Sequence, residues 1–149
     1  MRRRRLFGFT IVELMLVIGL VGVLVTIALP RYADYREKMK VADAIRDIGI
    51  IAAKLSVYGM DKQHYPETLT EIGWTTPDPW GNPYQYLAME GASVGKKRKD
   101  RSLHPLNSDF DLYSMGPDGR SVPPLTAKAS EDDIIRANDG RFIGKASEY

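Results

Sequence analysis

Residues 8–32 read GFTIVELMLVIGLVGVLVTIALPRY, and from Phe9 to Leu29 Glu13 is the only charge. At ~1.5 Å of helical rise per residue, this run of about 21 residues reaches across a hydrocarbon core of ~30 Å. Arginines at positions 2–5 precede it, so that flank stays cytoplasmic and the downstream chain faces outward. An ordinary secretory signal places its small-residue cleavage motif after the apolar run. Here the small residue, Gly8, comes before it. A cut between Gly8 and Phe9 removes the arginines, keeps the anchor and creates a new α-amine. Glu13 is expensive in hydrocarbon unless it has a partner. The Phe9 amine of a neighbouring chain is such a partner, which makes Glu13 an assembly residue.

Beyond Pro30 the chain keeps helix-forming composition to about Tyr58. Val41, Ile45, Ile48, Ala52 and Leu55 recur at helical spacing, with Arg36, Lys40, Asp43 and Asp47 largely off that stripe. The stripe needs a cover. Residues after Tyr58 hold most of the prolines and glycines and read as short elements joined by turns. Tyr84 and Tyr86 fall on one face of a first candidate strand, FDLYSM with Phe110 and Leu112 inward forms a second, and RFIG at 141–144 a third. Three strands laid across the helix give a two-layer α+β fold, a long N-terminal helix packed against a small antiparallel sheet. Trp80, in the proline-rich DPWGNP loop, serves as its hydrophobic pin.

These segments together resemble one family. The stretch from Gly8 to Tyr32 resembles the class III signal and N-terminal helix of the type IV pilin and pseudopilin superfamily. DPWGNPYQYL and FDLYSMGPDG resemble the cap of the major pseudopilins of type II secretion systems. The resemblance implies cleavage between Gly8 and Phe9 by a prepilin peptidase and N-methylation of Phe9. It also implies a family glutamate at Glu13 and helix interruptions at Gly22 and Pro30, where glycine weakens the helix and proline removes one of its hydrogen bonds. The implied organisation is a leader over 1–8, a transmembrane and filament-core helix over 9–30, its amphipathic continuation over 31–58 and a globular cap over 59–149. The implied partners are identical subunits, minor pseudopilins, the inner-membrane assembly platform and, before assembly, the inner membrane, with the cap in the periplasm.

The family's C-terminal calcium loop falls on GPDG and SEDD. By resemblance its ligands are Asp118, Asp132, Asp133 and the Met115 main-chain oxygen, with Ser130 a weaker correspondence. Calcium takes six to eight oxygens at flexible distances, which carboxylates and turned-in carbonyls supply. RSVPPLTAKASE, between Gly119 and Asp132, is longer than the family's usual loop, and no EF-hand spacing is present. The alternative is that the acidic pair caps a short helix over IIRAND.

The chain carries 21 Lys and Arg against 19 Asp and Glu; loss of the four leader arginines would leave 17 against 19, a formal charge of −2. The basic balance therefore belongs to the precursor and argues for no nucleic-acid role. GKKRKDR at 95–101 is a basic cluster interrupted by Asp100 and without interleaved aromatics, so it reads as a solvated loop or a subunit contact, not as a base-stacking surface. Cysteine is absent, and His64 and His104 stand in separate segments with no triad spacing. No enzyme is expected. Two filament roles remain: a secretion pseudopilin, or a type IV pilin or minor pilin of a surface fibre.

Overall fold

A computed structural model describes residues 8–149; of the expected leader only Gly8 falls among them, and the four arginines lie outside. The chain divides into two compact units, Met1–Lys38 and Met39–Tyr149. One helix, α1 (Ile11–Lys62), contributes to both.

In the first unit α1 has no buried residue, and Leu14, Leu16, Ile18, Leu20 and Leu24 are each more than half exposed. An apolar helix with no protein around it needs another solvent than water. Among the described residues it is the one helix long and apolar enough to cross a membrane. Gly22 and Pro30 both lie inside α1, which is helical through each of them. Pro30 still has no N–H to offer the carbonyl one turn back, so the hydrogen-bond ladder is thinned there.

The second unit is built on residues 39–62 of α1 and a four-stranded antiparallel sheet in the order β1 (Gln85–Ala88), β2 (Phe110–Ser114), β3 (Ile134–Ala137), β4 (Phe142–Lys145). The register sets Tyr86 opposite Leu112, Tyr113 opposite Ile135 and Arg136 opposite Ile143. Strand alternation therefore turns Tyr86, Phe110, Leu112 and Ile134 to the helix. There they meet Ala44, Ile48, Ile51 and Leu55, all fully buried, together with Tyr84. Burying a side chain such as Ile48 or Leu55 contributes roughly 1.5–3 kcal/mol. The stripe is rotated from the expected one. Ile48 and Leu55 are central as read, Ala44 and Ile51 complete the centre, and Val41, Ile45 and Ala52 flank it. Trp80 packs at the edge of the same core.

Two expectations about the cap are corrected. The segment IIRAND is not a helix: Ile134–Ala137 form β3, and a tight turn leads into β4. That turn places Asn138 at φ 53° and Asp139 at φ 56°, the left-handed region that short hairpin loops need. The sheet also has a third layer. Its outer face carries Ile135 and Ala137, covered by Leu106, Leu125 and Ala146. All four residues of β3 are buried because the strand is covered on both sides.

Candidate functional site

The N-terminus of α1 is closed by its own side chains. Thr10 precedes the first helical residue, and its hydroxyl accepts the Glu13 N–H at 3.1 Å. Glu13 Oε2 accepts the Thr10 N–H at 2.9 Å and the Thr10 hydroxyl at 3.0 Å. This reciprocal box satisfies donors that a helix start leaves free. Glu13 therefore has a role within its own chain beside the assembly role read from its position. The Thr-x-x-Glu spacing that announces it was legible in TIVE. Gly8 and Phe9 precede the helix and are exposed, Phe9 to 84%, so the expected cleavage point lies in accessible chain ahead of the helix.

In the cap, two loops hold each other. Asp78 is buried and accepts the N–H groups of Trp80 and Asn82 at 3.1 and 2.8 Å through one oxygen and the Ser114 hydroxyl at 2.5 Å through the other. Asn82 in turn donates to the Gly116 carbonyl at 3.3 Å. The DPWGN loop is thus tied to the end of β2, where the acidic loop begins. Gly116 sits at φ 62° with the Asp132 carbonyl only 2.5 Å from where a Cβ would stand, so no other residue fits.

The expected calcium ligands divide into two groups. Asp118 and Asp132 are neighbours, the Asp118 N–H pointing at Asp132 Oδ2 from 3.4 Å, while Asp118 Oδ1 accepts the Arg120 N–H at 2.7 Å. Met115 follows β2, half-buried. Asp133 is fully buried, and its Oδ2 accepts the Ser121 hydroxyl and an Arg98 N–H, both at 2.5 Å. Ser130 is buried too, its hydroxyl exchanging hydrogen bonds with the Val122 N–H and carbonyl at 2.9 Å. Among the described residues no three His, Asp or Glu side chains stand where a single ion would touch them all. Burial pushes the Asp133 carboxyl up to about 6, with Ser121 and Arg98 pulling the other way.

Arg98 is the residue that the sequence hid. It lies within the basic cluster read as solvated, yet it is 3% exposed. Arg136 is buried as well, on the helix side of the sheet, where its guanidinium lies 4.0 Å from the centre of the Phe110 ring and grips both oxygens of Asp109 at 2.8 and 2.6 Å. Such pairs are costly to break from one side only, because the remaining charge stays buried.

No family model matches the chain, and no solved structure matches it at a significant level. Curated relatives do. The chain is 34% identical over 142 residues to type II secretion system core protein G of Pseudomonas aeruginosa, spanning 80% of this chain and 89% of that one. It is 30% identical over 156 residues to the protein of the same name from Aeromonas hydrophila, across 90% and 94% of the two chains. A type IV major pilin of Neisseria gonorrhoeae is 37% identical over 70 residues, 47% of this chain and 42% of the pilin. Near-complete coverage by the secretion proteins, with an apolar N-terminal helix and a helix-backed sheet, places the chain in the type II secretion system core protein G family, the major pseudopilins.

Proposed function

We propose that the chain is the major pseudopilin of a type II secretion system, a non-catalytic subunit of a helical pseudopilus that drives export of folded proteins. The observation that carries this reading is the exposed apolar run of α1 in a family member. Leu14, Leu16, Ile18, Leu20 and Leu24 are covered by nothing in their own chain, which suits a helix held by lipid before assembly and by identical helices afterwards. On this reading the precursor spans the inner membrane once, with the cap in the periplasm. A prepilin peptidase cuts between Gly8 and Phe9, and Phe9 is then N-methylated. Glu13 meets the Phe9 amine of a neighbouring subunit, and Gly22 and Pro30 let the helix extend locally within the filament. The assembly platform and minor pseudopilins are the remaining partners.

Filaments sheared from cells overproducing the chain, followed by intact-mass measurement of the subunit, test this. The expected subunit begins at methylated Phe9. Filaments built from subunits still carrying the arginines at 2–5 would contradict the processing assignment, and a processed chain that never leaves the membrane would contradict the filament role.

A further inference from the structure

A cation from the 95–101 segment reaches into the 115–133 loop. The Arg98 guanidinium lies 4.2 Å from the centre of the Tyr113 ring, on the outer face of the sheet. Its Nη1 donates to the Ser121 hydroxyl and, at 2.7 Å, to the Val122 carbonyl; its Nη2 donates to Asp133 at 2.5 Å. The backbone that carries it is fixed just as closely. The Arg98 N–H donates to Asp111 Oδ2 at 2.6 Å and its carbonyl accepts Leu106 N–H at 3.0 Å. One residue on, Lys99 exchanges main-chain bonds with Pro123 and Leu125, so the strand-like segment at 98–99 is stitched into the loop.

A carboxylate, a hydroxyl and a main-chain carbonyl are the oxygen types a hard divalent cation takes. Here all three come from residues 121–133 and are met by the planar donor fork of an arginine. Asp133 Oδ2 is taken by Ser121 and Arg98, while Asp133 Oδ1 and Arg98 Nε are buried without a hydrogen-bond partner. A divalent ion entering among these groups would also stand beside a buried guanidinium that cannot lose its proton. We infer that Arg98 closes the 115–133 loop as a built-in cation in place of a bound divalent metal, so that the fold of this cap does not depend on calcium.

Thermal unfolding of the full-length chain in detergent micelles tests this. Both tryptophans of the chain, Trp74 and Trp80, lie in the cap, so their fluorescence reports on it alone. The melting midpoint of the wild type is expected to coincide in EDTA, calcium and magnesium, with no saturable heat of calcium binding. Arg98→Gln should lower the midpoint by roughly 10 °C, because Asp133 is left buried and unpaired. Arg98→Lys keeps the charge without the fork and should fall between. Lys99→Gln, a half-buried neighbour in the same cluster, should move the midpoint by less than about 2 °C. A calcium-specific, saturable rise in the wild-type midpoint would overturn the inference, and so would an Arg98→Gln protein that melts with the wild type. Should Arg98→Gln fail to fold at all, that is the predicted loss at its extreme, and the wild-type comparison in EDTA and calcium decides.

Discussion

Asp139 sits at the tip of the β3–β4 turn in a left-handed conformation, accepting the Ser108 N–H at 2.7 Å and the Ser108 hydroxyl at 2.9 Å. The Ser108 N–H most of all holds its carboxyl below the usual range; burial opposes it, and the Ser108 hydroxyl and the Arg136 charge add to the lowering. The unfolded chain therefore binds this proton more tightly than the folded one. The stabilisation is complete above the unfolded value of about 3.9 and is lost as pH falls through the depressed folded value. Asp139→Asn keeps a residue that tolerates left-handed backbone and removes the charge, together with one of the two acceptor oxygens that Ser108 uses. Its melting midpoint should lie roughly 2–4 °C below wild type at pH 7, a small effect because the side chain is exposed. That gap should close below about pH 4. A gap that stays constant from pH 7 to pH 3 would mean that the turn geometry, not the charge, carries the effect. At this scale the sequence was least legible. Nothing local separates Arg98 from its neighbours in GKKRKDR; partners remote in the chain, among them Asp111, Tyr113, Ser121, Val122 and Asp133, select it for burial. The Thr10–Glu13 box was within reach, since its residues are three apart.

At the scale of an element, Glu13 joins an observed role to a proposed one. Glu13 completes the N-cap of α1, and the same carboxylate is the proposed partner of an incoming amine. Glutamine at the third helical position also completes such a box, so Glu13→Gln spares the cap and removes the charge. Membrane insertion and subunit level should stay near wild type, while filament yield drops at least about tenfold, the factor that 1.4 kcal/mol of lost pairing sets. Glu13→Ala, which loses both roles, should also lower subunit level. Quantitative blotting of membrane and sheared-filament fractions measures both, and a Glu13→Gln strain with full filament yield would remove the charge pair from the account. Elements were legible where their periodicity was undisturbed. The stripe on α1 was displaced by part of a turn because Ala44, small but fully buried in the core, carries little apolar weight in a sequence reading. β3 was misread because IIRAND follows two aspartates, a helix-start pattern. Adjacent β-branched residues followed by Asn-Asp-Gly were the competing hairpin signal, and cover on both faces erased the alternation that marks a half-buried strand.

On the scale of the whole molecule, a chain without cysteine supports long loops by polar tethers: Asp78 to Ser114, Asn82 to Gly116, Arg98 to Asp133 and Arg136 to Asp109. The long apolar helix and the family were legible from the first 32 residues, and the presence of a small sheet from its turn chemistry. The third layer was not, because loops that become cover look like loops that do not. What the assembled protein does is decided most directly in a strain lacking this chain and complemented with it. Comparison of proteins released to the medium with fibres on the cell surface is the measurement. The account predicts that exported proteins are retained in the periplasm of the deletion strain and released again on complementation, with surface fibres unchanged. Loss of surface fibres with normal release of exported proteins would contradict it and identify the chain's work as that of a type IV pilin.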